Sequence, residues 1–184
     1  MPWESHATTL VHAWFGGQET GHGLTDIIFG KQNPSGRLSI TFPKSIKHTP
    51  AYLTFAKADY DIMYGEGVFI GHRYYEMLDQ DPLFWFGYGL SYSTFTYKDL
   101  EVPKEIPVGK DGSMTISLTV TNNGPYDGAE VIQVYSLSFW SQEWSKWKAE
   151  AGEYVVVIAS SSDPKDEIMR ASFHLSETYL WEGL

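Results

Sequence analysis

The 184-residue sequence contains no cysteine. Disulfide frameworks and thiolate chemistry are therefore excluded, while the redox compartment stays open. Positive charge is scarce, with 13 Lys and Arg against 23 Asp and Glu, a formal net charge of −10 and a pI near 4.9. Such a balance offers no basic footprint, so neither nucleic acid nor an anionic membrane is expected as a partner. No apolar run approaches the ~20 residues that span a bilayer, and Met1-Pro2-Trp3-Glu4 lacks the regions of a signal peptide. An export signal, if the protein is exported, is expected elsewhere. There is no usable Asn-x-Ser/Thr site, since Asn33 is followed by Pro34. No Gly-x-Ser-x-Gly elbow anchors serine-hydrolase chemistry. His6, His12, His22, His48, His72 and His174 show no zinc-ligand spacing apart from the loose Glu19 and His22 pair, so no metal and no cofactor is expected.

Aromatic residues are plentiful instead, seven Trp, twelve Tyr and ten Phe making 16% of the chain. Such rings fill cores and interfaces or, where exposed, stack on sugar faces. Their densest run is Phe84 to Phe95, in which Phe84, Phe86, Tyr88, Leu90 and Tyr92 keep a period of two while Gly87 and Gly89 permit close backbone approach. It reads as a packed corner. The proline- and glycine-punctuated Glu101 to Gly112 marks a boundary after it.

Upstream of the corner, Thr8 to Phe15 reads as a strand, Gly16 to Gly23 as a glycine-rich loop, and Leu24 to Phe29 as a short helix ended by Gly30. Asn33-Pro34-Ser35-Gly36 is a turn, and Arg37 to Pro43 alternates as a strand. Strand, helix, strand predicts a mainly parallel α/β sheet. Residues 44–66 read as an irregular excursion whose Asp59, Asp61 and Glu66 form a solvated acidic face, and Gly67 to Tyr75 returns to strand character.

The loop does not suit phosphate. It lacks the Lys-Ser/Thr of a Walker loop and the Gly-x-Gly-x-x-Gly spacing, and Glu19 stands where the anion would sit. Glu19 has two readings: a hydrogen-bonding or catalytic carboxylate at the sheet edge, or a helix cap and loop brace.

Beyond Gly112 the pattern is all-β. Met114 to Val120, Ala129 to Tyr135, Glu153 to Ala159 and Met169 to Leu175 alternate as strands, the first two as antiparallel neighbours. Trp140, Trp144 and Trp147 line one helix face or sit on a β-turn-β segment, where they are packing residues or a sugar platform.

Five blocks, Trp14 to Gly21, Asp26 to Gly30, Asn33 to Pro43, Tyr64 to Tyr75 and Phe86 to Tyr92, together resemble the C-terminal half of glycoside hydrolase family 3 β-glucosidases of the fungal type. The likeness continues through Val120 to Gly124 and Gly128 to Tyr135. It implies the C-terminal part of an α/β sandwich over residues 1–98, a linker over 99–112, and a fibronectin type III-like β-sandwich over 113–184. The last is shortened, since a sandwich of this kind has about seven strands, and the segment after Tyr135 resembles one found well downstream in the family.

The resemblance also implies a retaining hydrolase acting on terminal β-D-glucosyl residues of cello-oligosaccharides or glucosides, secreted when complete. Its nucleophile and acid/base carboxylates, about 5 to 5.5 Å apart in such enzymes, lie upstream of the positions matched here. No catalytic residue is therefore assigned in this chain, Glu19 stands as an active-site-edge candidate, and the partners implied are the glucoside substrate and the missing N-terminal barrel domain. Two further readings remain: a non-catalytic carbohydrate-binding or domain-bracing module, and a truncated gene product without independent function.

Overall fold

A run such as Tyr154-Val-Val-Val-Ile-Ala159, β-branched and free of charge, is stable as a strand only if a neighbour takes its backbone hydrogen bonds and a core takes its side chains. The computed structural model, which describes residues 3–55, 64–106, 114–132 and 138–182, supplies both in one part of the chain. By contacts the chain divides into a first unit, Met1–Thr94 with Gly124–Val131, and a second, Phe95–Asn123 with Ile132–Leu184. The elements in order are α1 (Thr20–Ile28), α2 (His72–Met77), β1 (Phe95–Glu101), β2 (Glu105–Ile106), β3 (Ser117–Asn122), β4 (Phe139–Ser141), β5 (Lys146–Ala149), β6 (Gly152–Ala159), β7 (Glu167–Leu175) and β8 (Tyr179–Trp181), with short 3-10 turns between some of them.

All eight strands belong to the second unit. They form a β1-β3 pair, a β2-β7-β6 sheet and a β4-β5-β8 sheet. In the middle sheet β6 and β7 run antiparallel, from Gly152 opposite Leu175 to Ile158 opposite Met169, with an irregularity before Ala159. Alternation turns Val156 and Ile158 of β6 and Phe173 and Leu175 of β7 onto a core shared with Ala149. Phe173 and Ile158 are the most buried large side chains, at 1% and 0% exposure. Tyr154 stacks on Phe173 at 5.4 Å and 11°, and its hydroxyl donates to the Glu150 carbonyl at 2.6 Å, so the polar tip is satisfied. The connection between β6 and β7 is fixed by buried Ser161, whose hydroxyl donates to Asp166 Oδ2 at 2.6 Å and accepts from the Asp163 amide at 3.0 Å.

The expected strands Glu153 to Ala159 and Met169 to Leu175 thus form. Met114 to Val120 forms later, as β3, and pairs with β1 instead of Ala129 to Tyr135. The reason is the route of the chain. Gly124–Val131 belongs to the first unit, residues 129–132 are in no strand, and 133–137 lie outside the described residues. Part of the expected linker, 99–112, is structured too: Asp99 to Glu101 complete β1, with Asp99 at φ +55 where the register shifts, and β2 pairs parallel to β7. Residues 107–112 lie outside the description.

In the first unit the helix expected at Leu24 to Phe29 is present and begins earlier, as α1, and Gly30 follows it at φ +70. The mainly parallel sheet is not formed among the described residues. Thr8 to Phe15 lies in no strand, Arg37 to Pro43 contributes only a single bridge from Phe42 to Phe84, and the segment expected as a strand at Gly67 to Tyr75 ends in helix α2. An isolated strand leaves its amides and carbonyls unpaired, so strand-favouring sequence without an adjacent strand does not settle as one. The helix has a positive reason, for it carries Tyr75 into contact with Trp85 at 6.4 Å. Among the described residues these two are the unit's buried large apolar side chains, whereas twenty-two of the twenty-seven exposed large apolar side chains belong to it.

Truncating Phe173 to Ala is expected to cost about 3–5 kcal/mol, whereas Val155→Ala, half exposed on the same sheet, should stay within about 0.5 kcal/mol; urea unfolding followed by circular dichroism measures both.

Candidate functional site

The aromatic corner organises the first unit. Across it run Leu38 amide to Tyr88 carbonyl at 3.0 Å, Gly87 amide to Leu38 carbonyl at 2.7 Å and Phe42 amide to Phe84 carbonyl at 2.7 Å, which clasp the Arg37 to Pro43 segment without building a ladder. Asn33, in the Asn-Pro-Ser-Gly segment expected as a turn but irregular in the structure, accepts at Oδ1 from the Ser91 hydroxyl at 3.0 Å and the Tyr92 amide at 2.8 Å. Tyr92 in turn donates to the Ile27 carbonyl at 2.9 Å, tying the corner to the end of α1. The period-two aromatic face is therefore a clasp.

Gly89 explains why the corner is punctuated by glycine. A Cβ there would come within 3.0 Å of Arg37 Cδ, Arg37 Nη1 and the Gly36 carbonyl. Arg37 is packed beneath it and donates from Nη2 to Glu130 Oε2 at 2.6 Å, both side chains being more than nine-tenths buried. Glu130 arrives on the returning segment Gly124–Val131, which is also held by Ser93: its hydroxyl donates to the Tyr126 carbonyl at 2.6 Å and accepts from the Tyr126 amide at 3.1 Å. Gly124 lies so close to Ser93 that a Cβ would sit 2.5 Å from its Cα. Arg37 Nε and Nη1 and Glu130 Oε1 are buried without a hydrogen-bond partner. A pair so incompletely satisfied fixes a position more than it adds stability, since desolvation offsets much of its attraction.

Glu19 stands at the N-cap of α1 but makes no side-chain capping bond. Its carboxylate instead meets His22 Nδ1 at 2.9 Å, with both groups largely exposed. The pair can hold a hydroxylated ligand or pass a proton. It cannot by itself perform two-carboxylate glycoside chemistry. Glu66 lies in a turn, while Asp59 and Asp61 lie outside the described residues. Among the described residues no group of three or more His, Cys, Asp or Glu is placed to hold a metal, and no helix is long and apolar enough to cross a membrane.

Within the second unit, Trp140 and Trp147 face each other across β4 and β5 and Trp144 lies in the turn between, so the β-turn-β arrangement is the one adopted. The Trp140 and Trp147 rings meet edge to face at 5.8 Å and 80°. Edge-to-face contact of this kind is ordinary aromatic packing.

Residues 1–92 match the family model described as the glycosyl hydrolase family 3 C-terminal domain. The chain belongs to glycosyl hydrolase family 3. Family 3 relatives align along its whole length: a putative β-glucosidase of Schizosaccharomyces pombe at 39% identity and a probable β-glucosidase H of Emericella nidulans at 34%, each with 26% of the relative covered. A crystal structure of the Kluyveromyces marxianus β-glucosidase superposes with a TM-score of 0.86 at 32% identity, covering 100% of this chain and 26% of that one. The same Kluyveromyces enzyme has been solved in complex with glucose. The chain thus corresponds to the C-terminal part of a family 3 β-glucosidase and spans about a quarter of the length of the curated relatives it matches. The Emericella alignment runs over 222 positions against 184 residues here, a difference of 38 positions occupied in the relative alone.

The Arg37 to Glu130 pair was not foreseen from the sequence, although both residues sit inside family-like blocks. Only their 93-residue separation hid it. His72, which the sequence places in a strand and at no zinc-ligand spacing, lies in α2 and stacks on Phe86 at 5.4 Å. Its burial, helped by the neighbouring Arg73 charge and opposed by Glu76, holds its pKa below the ordinary 6.5.

Two expectations follow. Arg37→Met strands the Glu130 carboxylate and should cost about 3–5 kcal/mol, while the Arg37→Met/Glu130→Leu double variant recovers most of that loss in thermal unfolding. A lowered imidazole pKa means that the unfolded chain binds the proton more readily. The neutral His72 contribution is then full above about pH 6.5 and is lost as pH falls toward the native value, so wild type should lose stability relative to His72→Phe across that window in urea titrations at stepped pH.

Proposed function

We propose that this chain serves as the C-terminal part of a retaining β-glucosidase that removes terminal β-D-glucosyl residues from cello-oligosaccharides or other glucosides, and that it is inactive on its own. The observation that carries the reading is the alignment of the entire chain with about a quarter of β-glucosidases from several fungi. Its chemistry agrees. Retaining hydrolysis needs a nucleophilic carboxylate to form the glycosyl-enzyme and a carboxylic acid to protonate the leaving oxygen, and in the family both come from upstream of the matched region.

In this reading residues 1–98 complete an α/β sandwich, 99–112 link it onward, and 113–184 form a fibronectin type III-like module that lacks part of its middle. Glu19 is proposed as an edge residue of the assembled site, because its carboxylate is exposed beside His22 and free to reach a sugar hydroxyl. A role confined to one hydrogen bond limits its effect.

Purified residues 1–184 should show no turnover of an aryl β-glucoside. Fused in place of the C-terminal quarter of the Kluyveromyces enzyme, the chain should give an active β-glucosidase in which Glu19→Gln lowers kcat/KM by no more than about tenfold, the worth of one hydrogen bond. Turnover by the isolated chain that Glu19→Gln abolishes would contradict the proposal.

A further inference from the structure

A strand at the edge of a sheet presents unpaired amides and carbonyls to any chain that comes near, and folded proteins blunt such edges by keeping them short or by placing charge or proline on them. Most edges of the second unit are blunted in this way. Among the described residues β2, β4 and β8 are two or three residues long, β1 carries Lys98, Asp99 and Glu101, and β6 carries Glu153, whose carboxylate meets His174 Nδ1 at 2.9 Å. β3 is the exception.

Its residues, Ser117-Leu118-Thr119-Val120-Thr121-Asn122, include no charge, no proline and no glycine. On one side they pair with β1, Thr121 lying opposite Thr96 and Thr119 opposite Lys98, in a sheet of two strands. Among the described residues no ladder covers the other side. The side chains are open too: apart from Leu118, which packs partly against the core, the strand is exposed, Val120 at 37%. A short uncharged run rich in β-branched residues is the kind of sequence that pairs readily with another strand.

We propose that the open edge of β3 is a self-association surface whose occupant is β3 of a second copy of this chain, paired antiparallel about a two-fold axis. The inference uses the second unit alone and goes beyond the β-glucosidase reading. An axis through Val120, perpendicular to the sheet, keeps every side chain on its own face and sets Val120 opposite its own copy, Thr119 opposite Thr121 and Leu118 opposite Asn122. No pair opposes like charges, and β-branched and Thr-Thr pairs across antiparallel strands stabilise one another. A partner recognised by charge would find none to read on this strand. The net charge of −10 on each copy acts mainly over distances that salt screens, the Debye length being about 8 Å at physiological ionic strength, so the neutrality of the contact itself decides.

The test follows the full chain by size exclusion with light scattering as concentration and salt are varied. A dimer is expected, and it should tighten as salt rises. Val120→Lys sets two ammonium groups opposite each other and Val120→Glu two carboxylates, so each should raise the dissociation constant at least tenfold, and an equal mixture of the two variants should restore the dimer because Lys then faces Glu. Val155→Lys, on β6 and 51% exposed, should leave the dimer unchanged. Since the chain has no cysteine, Val120→Cys reports the same contact without added charge: under mild oxidation it should become a disulfide-linked dimer, while Val155→Cys stays monomeric over the same time. If a charged variant loses the circular dichroism of the parent, the cysteine pair decides, linkage at Val120 upholding the proposal and its absence overturning it. A monomer at every concentration, a dimer that Val120→Lys leaves intact, one that Val155→Lys disrupts equally, or a Lys and Glu mixture that fails to recover also overturns it.

Discussion

A strand exists where a neighbour completes its hydrogen bonds and a core receives its side chains, and that requirement governs every part of this molecule. It is met between β6 and β7. There, eight- and nine-residue strands lie in register and send Val156, Ile158, Phe173 and Leu175 into one core, against which Tyr154, Leu118 and Trp181 pack. Fully burying an aliphatic or aromatic side chain is worth about 1.5–3 kcal/mol, so a few such residues stabilise this ladder. The first unit holds comparable apolar material without such a neighbour among the described residues. Its Leu10, Val11, Trp14 and Phe15 remain exposed, as do Val68, Phe69 and Ile70.

What order the first unit has comes from polar clasps around the corner. Asn33 ties its segment to Ser91 and Tyr92, Tyr92 reaches the end of α1, and Arg37 reaches Glu130. These contacts position segments precisely in space but bury little apolar surface, and each typical hydrogen bond contributes only about 0.5–1.5 kcal/mol net. A framework of this kind sets geometry with little apolar burial to support it. The same logic suits a carboxylate such as Glu19, presented on a loop and helix start and lacking a second carboxylate partner.

Local chemistry was legible in the sequence. Thr, Asp, Ile and Gly30 at the end of a short apolar run announced α1, and the alternation of Glu153 to Ala159 and Met169 to Leu175 announced β6 and β7, because nearby pairing satisfies them. The family blocks between Trp14 and Tyr92 were legible for another reason: turns and corners carry fixed residue types at fixed spacing. Features set by distant chain were not legible. Thr8 to Phe15 has a strand's composition but its state depends on a neighbour, and Glu130 falls in an alternating run although it pairs with Arg37, 93 residues away, in the first unit.

Amide hydrogen exchange on the full chain, resolved by segment, tests most directly whether one unit is closed and the other open. Protection across Gly152 to Ala159 and Glu167 to Leu175 should exceed that across Thr8 to Phe15 and His72 to Met77 by at least a hundredfold, because exchange from the former requires loss of the shared core. Equal protection in the two sets of segments would contradict the account.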